Sequence, residues 1–182
     1  MEKSYILEKY TLNNNVEVPN RLVVAPLTLF ASNPDGTIND DEREYLKVRG
    51  TGIGLYILGA TAVAQEGLTF LGQPRAYNEK DLPSLEERAK IIKSQGALAI
   101  NQIHHGGYKA NPDFSGTDPL TPSKEIADKI LKDSNSNVTT KEMTNDDIKK
   151  VIESFGLAIE LSIKAGYDGI EIHGANNFIL QQ

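Results

Sequence analysis

The chain has no cysteine, and this absence excludes several kinds of chemistry. Without a thiol it can form no disulfide, no thiolate metal site and no cysteine nucleophile. An excess of basic side chains is also missing, because 19 lysines and arginines stand against 25 aspartates and glutamates. Neither sign forms a long run, so nucleic acid and anionic membrane surfaces are poor partner predictions.

Long hydrophobic runs are lacking as well. No uninterrupted apolar segment is long enough to span a bilayer, and the first residues lead into alternating polar and apolar positions, unlike a signal peptide. With 182 residues the chain can bury a real core as one domain. A reduced, soluble, cytoplasmic protein is the expectation.

Four short runs predict β-strands, preceded by a small β-hairpin around an asparagine-rich turn in residues 5–18. The strand runs are residues 22–26, 55–60, 97–103 and 168–173. The first run is continuous and apolar, which predicts a strand buried on both faces.

A helix is predicted after each of the first three strands. The predicted N-terminal caps are Asn39 or Asp40, then the capping box Ser84 with Glu87, then Thr144 with Asp147. The face of the third helix that we expect to pack on the sheet carries Ile148, Val151, Ile152, Phe155, Ile159 and Ser162. Residues 108–141 are longer than a connection requires and predict a functional excursion over one end of the domain, with 134–137 the best candidate for local disorder.

Strict alternation of strand and helix predicts a parallel sheet with right-handed crossovers. A doubly wound sheet would want a phosphate-binding glycine loop after its first strand, and no G-x-G-x-x-G or Walker loop occurs here. A (β/α)8 barrel needs eight strands and about 250 residues. The pattern therefore predicts an α/β fold that is the N-terminal half of a barrel, about four β/α units, with the remainder missing or supplied by another chain. We expect residues 1–182 to form this single incomplete domain.

The last predicted strand carries unusual chemistry. Period-two alternation places Ile170 and Ile172 on the helix-covered face, with Glu171 and His173 on the other face. His173 ends the strand and Asn176 follows after a short turn. Two neutral polar side chains at the open end of a barrel can donate hydrogen bonds to an anion or a polarised oxygen.

Several blocks in the right order carry a family resemblance: Asn-Arg-Leu-Val-Val-Ala-Pro-Leu-Thr at 20–28, Asn-Gln-Ile-His-His-Gly-Gly at 101–107, Glu-Met-Thr at 142–144, and the run from 165 to 182. From about residue 10 to the end, the chain resembles the flavin-dependent oxidoreductases of the old yellow enzyme family, especially its bacterial NADH-dependent members. The resemblance implies an FMN-binding TIM barrel in which hydride passes from NADH or NADPH, by way of FMN, to an activated alkene, a quinone or another small-molecule acceptor.

Site residues follow from the same resemblance. Pro26, Leu27 and Thr28 are implied to line the flavin, Ala60 to offer a backbone contact to the ring, and Gln102 to hydrogen-bond its pyrimidine end. His173, near the flavin, and Asn176 are implied to be the catalytic pair that grips the carbonyl oxygen of the substrate or a phenolate ligand. No metal is implied.

The chain departs from the family pattern at three matched positions. Phe178 stands where many relatives have a proton-donating tyrosine, so the proton for an alkene would come from water or another donor. Phe30 replaces an aromatic hydroxyl of some bacterial relatives, and Tyr108 replaces a usual arginine. The family's phosphate grip and flavin-contacting arginine lie in later strands than those present here.

Two other functions compete with the oxidoreductase. One is a non-catalytic half-barrel that binds a partner or associates with itself, since the edges of its first and fourth strands would be unpaired and dimerisation would cover them. The other is a metal-dependent barrel hydrolase that uses His104 or His105 with His173 and a carboxylate. Glu171 is predicted to be a buried, partnered carboxylate with a structural task.

Overall fold

A computed structural model describes residues 4–133 and 136–182. In chain order, the described strands and α-helices are β1 (Tyr10–Thr11), β2 (Glu17–Val18), β3 (Val23–Val24), α1 (Asp40–Lys47), β4 (Leu55–Ala62), α2 (Leu82–Lys93), β5 (Leu98–His104), α3 (Pro112–Ser115), β6 (Leu120–Thr121), α4 (Lys124–Asp133), β7 (Lys141–Glu142), α5 (Asn145–Lys164) and β8 (Gly169–Ile172).

The principal sheet is parallel and has the strand order β3-β4-β5-β8, so each strand lies beside the next one along the chain. α1, α2 and α5 connect these strands and contact one another in that order. This arrangement confirms the predicted half of a (β/α) barrel, in which consecutive βαβ units place their helices on one side of the sheet. No helix of the described residues is long and apolar enough to cross a membrane.

The hydrophobic core lies between the sheet and these three helices. Leu46 of α1, Leu85 and Ile92 of α2, and Leu161 of α5 are almost completely buried and belong to one cluster with side chains of β4 and β5. Burial of such side chains contributes about 1.5–3 kcal/mol each, relative to leaving them in water. The core therefore holds the strands at a fixed register and aligns their C-terminal ends.

The prediction that the first strand is buried on both faces is wrong. Val23 in β3 is 53% exposed, and Val24 is only partly buried. Ile172, predicted on the helix-covered face, is 51% exposed and borders the cavity described below. Both strands lie at the edges of the sheet, because within residues 4–133 and 136–182 neither β3 nor β8 pairs with a second neighbour in it.

Two local predictions also need correction. The hairpin is shorter than expected, since only β1 and β2 pair, and Tyr5–Leu7 forms a 3-10 turn. The predicted capping box at Ser84 is absent because α2 already begins at Leu82, and the capping box belongs to Asn78 and Asp81 in the preceding 3-10 turn. The side chain of Ser84 instead accepts a hydrogen bond from the backbone N–H of Ile38.

The predicted cap of α5 is confirmed, whereas its predicted buried face is only partly correct. Thr144 and Asp147 form the predicted capping box, and α5 begins at Asn145. Val151, Phe155 and Ser162 are buried as predicted, whereas Ile152 is 65% exposed. The buried stripe passes instead through Ala158 and Leu161, and Ile148 at the start of the helix is 41% exposed.

The segment 108–141 has secondary structure of its own. It contains α3 and α4 and a two-stranded parallel sheet of β6 and β7, and Lys124 and Asp128 form an ion pair within α4. The predicted disorder at 134–137 falls partly on Ser134 and Asn135, which lie outside the described residues. A functional task for this excursion stays a prediction.

Candidate active site

A cavity of about 690 Å³ opens at the C-terminal ends of the four parallel strands. This volume is within the range of small-molecule sites, and the strand ends are where barrel enzymes place their active sites. Its lining comes from β4, β5 and β8 and from the loops that follow β3, β4 and β8: Pro26, Leu27, Thr28, Phe30, Ala60, Thr69, Phe70, Gln102, His104, Glu171, Ile172, His173, Gly174, Ala175, Asn176 and Phe178.

All seven site residues named from the resemblance line this one cavity. Pro26, Leu27 and Thr28 follow β3, and the remaining four come from the ends of β4, β5 and β8: Ala60, Gln102, His173 and Asn176. The predicted convergence of the strand ends is present in the structure, and the chemical role of each residue stays a prediction. Sequence separations of about 30 to 70 residues are closed by the parallel register of the sheet.

An irregularity in β4 shapes the wall between β3 and β5. Leu58 pairs with Asn101 and Thr61 pairs with Ile103, so Gly59 and Ala60 together stand opposite the single residue Gln102. Two residues facing one is a β-bulge, a device that re-aims a strand near functional sites. Gly59 is required there, since a Cβ on it would lie 2.6 Å from Oε1 of Gln102 and 2.7 Å from Cβ of Pro26.

His173 is set up as a neutral hydrogen-bond donor. The backbone N–H of Ala175 donates to its Nδ1 at 3.3 Å, so the ring proton belongs on Nε2. Burial lowers the pKa of His173, and the nearby Glu171 carboxylate opposes that effect without cancelling it. At neutral pH the imidazole is therefore uncharged and keeps one N–H to offer to a ligand.

Asn176 is held beside His173 by the backbone of its loop. It adopts a left-handed conformation with φ 58°, which asparagine tolerates better than most residues. The Nζ of Lys109 donates to the backbone oxygen of Asn176 at 2.7 Å, which ties this loop to the turn after β5. The side chain of Asn176 is exposed at the cavity, where its amide can donate a second hydrogen bond.

Gln102 and Glu171 form a pair within the cavity wall. They are register partners on β5 and β8, and Nε2 of Gln102 donates to Oε1 of Glu171 at 2.6 Å. The carboxylate is partly buried and is partnered, as predicted, but it also lines the cavity.

His104 is part of a buried network that reaches three parts of the wall. Oε1 of Gln73 accepts from the N–H and the hydroxyl of Thr69, so its Nε2 is the donor to the Ala60 carbonyl oxygen and to Nε2 of His104. His104 must therefore accept at Nε2 and carry its proton on Nδ1. Burial lowers the pKa of His104 to about 3, with smaller contributions from His173 and His105.

His105 serves the fold and does not border the cavity. It is completely buried, its Nδ1 accepts from the N–H of Gly107 at 3.1 Å, and burial lowers its pKa to about 4. A Cβ on Gly67 would lie 2.7 Å from the His105 ring, so the imidazole packs directly on that backbone. The prediction that one of the adjacent histidines is structural fits His105.

Aromatic rings form two sides of the cavity. Phe178 packs edge-on against His104 and His173, with ring centroids 4.6 and 4.9 Å apart. Phe30 and Phe70 lie 4.7 Å apart on another side, and Phe30 has φ 51°, a strained value for a bulky side chain. Strain of this kind concentrates at functional sites.

Thr69, Phe70 and Gln73 are neighbours of the site that were not predicted from the sequence. They lie in the loop after β4, between its end at Ala62 and the start of α2. The available signal was their position, because the loop that follows each barrel strand contributes to the open end.

The cavity suits the ring system of a flavin. Apolar side chains and phenyl rings match its flat faces, while Thr28, Gln102 and the backbone of the β4 bulge at Ala60 are polar groups suited to its edge. No lysine or arginine is among the described residues that line it, so a phosphate group has no cationic partner there. No group of three histidine, aspartate or glutamate side chains in residues 4–133 and 136–182 could hold a metal ion.

Comparison with known proteins agrees with this geometry. Residues 10–182 match the family model described as NADH:flavin oxidoreductase / NADH oxidase family. The chain is 34% identical over 177 residues to a probable NADH-dependent flavin oxidoreductase of Bacillus subtilis, covering 97% of this chain and 46% of that protein. It is 34% identical over 178 residues to an NADH:fumarate oxidoreductase of Klebsiella pneumoniae, covering 97% of this chain and 19% of the other.

Among solved structures, an old yellow enzyme from Pichia superposes with a TM-score of 0.83 at 24% identity, over 97% of this chain and 47% of that one. That likeness confirms the fold. The chain spans about half the length of the Bacillus relative and of the Pichia structure. On the match to residues 10–182, the chain belongs to the NADH:flavin oxidoreductase / NADH oxidase family.

Proposed function

We propose that this chain supplies the ring-binding and substrate-polarising side of an FMN-dependent oxidoreductase of the old yellow enzyme type. NADH or NADPH would be the reductant, and an activated alkene, a quinone or another small molecule the acceptor. The observation that carries the proposal is the meeting of Thr28, Ala60, Gln102 and His173 in one cavity, from four consecutive strand ends. The described sheet and its helices would be one incomplete barrel domain.

Bound FMN would supply the redox chemistry, transferring reducing equivalents from the nicotinamide to the acceptor. Thr28 and Gln102 would hydrogen-bond the polar edge of the ring, and Pro26 and Leu27 would contact its apolar part. The described residues hold no cation for the phosphate in this cavity. The ring is therefore the part of FMN that this chain recognises.

His173 and Asn176 would act on the acceptor. A neutral imidazole with its proton on Nε2 and a neighbouring amide can both donate to one carbonyl oxygen. These donors stabilise the negative charge that grows on that oxygen during reduction. Phe178 has no exchangeable proton, so the proton that completes alkene reduction would come from water or another donor.

The competing functions receive less support. The relatives described above are named as oxidoreductases, and none is named as a binding module. Self-association through the edges of β3 and β8 stays a prediction. The metal hydrolase has no ligand cluster among the described residues.

A flavin titration tests the proposed function. FMN and lumiflavin, which has the same ring and no phosphate, are added to the chain and flavin fluorescence is followed. We expect both to bind, with dissociation constants within about threefold of each other, which corresponds to less than about 0.7 kcal/mol. Nicotinamide oxidation by the FMN-loaded protein, with a quinone as acceptor, then measures the activity.

The matched control is Glu86→Gln on the exposed side of α2, outside the cavity lining, which should bind both flavins as the wild type does. Failure of the wild-type chain to bind either flavin would overturn the proposal. A strong preference for FMN over lumiflavin would contradict the assignment of recognition to the ring alone.

A further inference from the structure

The pair formed by Gln102 and Glu171 has a fixed direction. A carboxylate can only accept hydrogen bonds, so the amide of Gln102 must turn its NH₂ group toward Glu171. Its Oε1 then lies on the other side, next to Gly59, where an added Cβ would approach it to 2.6 Å. Glu171 therefore decides which atom of Gln102 is presented at each edge of the cavity.

The surroundings of Gln102 restrict the rotation of its side-chain amide. Its side chain is 6% exposed, and the bulge at Gly59 and Ala60 packs against it from β4. Among the ion pairs of the described residues, none includes Glu171, so its carboxylate is not shared between Gln102 and a cation. A charged acceptor makes a stronger hydrogen bond than a neutral one.

We propose that Glu171 is a positioning residue that sets the amide orientation of Gln102 before a ligand enters, so that the donor and acceptor pattern of the cavity is ready for the flavin edge. The inference rests on the proposed function of this cavity. Glu171 also lies two residues before His173, which directly follows β8, and its charge acts on that imidazole. The other titratable group beside His173 is the neutral His104.

The test compares three proteins: wild type, Glu171→Gln, and the exchange variant with Gln102→Glu and Glu171→Gln together. In Glu171→Gln either amide can turn, and the fixed orientation is lost. The exchange variant restores a hydrogen-bonded pair with one carboxylate, but the carboxylate now sits at position 102. If the pair is only structural, the exchange variant should recover lumiflavin affinity. If Glu171 positions Gln102, the exchange variant should not recover it.

We expect Glu171→Gln to weaken lumiflavin binding by about tenfold, and the exchange variant to bind at least as poorly while unfolding at the urea concentration of the wild type. NMR gives a readout that needs no flavin. In Glu171→Gln the side-chain amide signals of Gln102 should shift, and the pKa of His173 should fall because its neighbouring negative charge is gone.

Recovery of lumiflavin affinity in the exchange variant would overturn the inference, because the pair would then be only structural. Unchanged affinity in Glu171→Gln, or unchanged Gln102 amide signals, would overturn it as well. If the wild type binds no flavin, the proposed function fails separately, and the Gln102 amide signals still decide whether Glu171 orients the amide.

Discussion

Two groups of polar side chains in this fold, one buried and one at the cavity, differ in the partners that their hydrogen bonds reach. Arg88 of α2 and Glu42 of α1 form a buried ion pair, in which Nε and Nη2 of the arginine donate to the two carboxylate oxygens at 2.6 and 2.9 Å. Arg88 also donates to the Gly36 carbonyl oxygen, and Ser32 donates to Glu42. In the cavity, by contrast, His173 and Asn176 direct donors toward the space at the strand ends.

This difference distinguishes residues that stabilise the fold from residues that are available to bind a ligand. The partners of Glu42 and Arg88 come from α1, α2 and the loop after β3, so these bonds form without any other molecule, and Nη1 of Arg88 alone of the pair's charged atoms has no partner among the described residues. Cavity polar groups keep unused hydrogen-bonding capacity, which is typical of a small-molecule site. Damage to the first group should therefore lower stability, and damage to the second should lower binding.

The largest expected effect is on the buried ion pair. Arg88→Met leaves the Glu42 carboxylate, 1% exposed, without its cation, and we expect a loss of about 3–5 kcal/mol in the free energy of unfolding. Urea denaturation measures it. Arg43→Met breaks the half-exposed pair with Glu87 and should cost far less, and adding Glu42→Met to Arg88→Met should recover part of the loss. Equal costs for Arg88→Met and Arg43→Met would contradict the comparison.

Acid should act next most strongly, through the buried histidines. Burial places the pKa of His104 at about 3 and that of His105 at about 4, below the ordinary value near 6.5. The unfolded chain then binds more protons, so the stability is complete above about pH 6.5 and falls as the pH drops toward those folded-state values. Each histidine contributes up to about 1.4 kcal/mol per pH unit in that window.

Urea denaturation in steps from about pH 7.5 to about pH 5 measures this slope. His104→Asn removes one of the two titrating imidazoles. It should roughly halve the pH dependence of the unfolding free energy that His104 and His105 contribute together. A wild-type stability that stays constant over this range would mean that the two imidazoles are charged in the folded protein.

Binding of a phenolate should respond to the cavity donors. We expect His173→Phe and Asn176→Ala each to weaken p-nitrophenolate binding by roughly 10- to 100-fold, because each removes a hydrogen bond to a charged oxygen. The absorption of the phenolate reports the binding. The free energy of unfolding should change by less than about 2 kcal/mol, since neither donor has a hydrogen-bond partner among the described residues and only Asn176→Ala adds the cost of a left-handed backbone. A large loss of stability with unchanged affinity would reverse the assignment of these residues.

The smallest expected effect is on the loop that carries Asn176. Lys109→Met removes the hydrogen bond that holds the Asn176 backbone, and we expect p-nitrophenolate affinity to fall by about two- to fivefold, the scale of an exposed charged contact. Lys109→Arg keeps a donor and should bind as the wild type does. A loss as large as that of Asn176→Ala would show that Lys109 itself contacts the ligand.

Much of the architecture could be predicted because its signals are local. Apolar runs bounded by glycine and proline predict β4 and β5, and a threonine three residues before an aspartate predicts the start of α5. Parallel register then brings Gln102 and His173 together. The exposure of Val23 and Ile172 could not be read this way, since an apolar edge strand and an apolar central strand have the same local pattern.

The missed residues depend on contacts distant in sequence. Arg88 and Glu42 are 46 residues apart, and an arginine on an amphipathic helix ordinarily predicts a solvated face. Ser84 with Glu87 and Asn78 with Asp81 are both plausible caps, and the earlier one is used because the chain already turns helical there. For Gln102 only a contact with a ligand was predicted, because its hydrogen-bond partner Glu171 is 69 residues away in the sequence.

The extra residue in β4 fixes the parity of everything that follows it in the strand. Deleting Gly59 or Ala60 would restore plain two-residue alternation and exchange inside for outside from Thr61 onward. The buried hydroxyl of Thr61 would leave Asn101, and Ala62 would lose its bridge to Arg75. Deletion of a single codon at this point would thus disrupt the β4 wall of the cavity while leaving the composition of the chain almost unchanged.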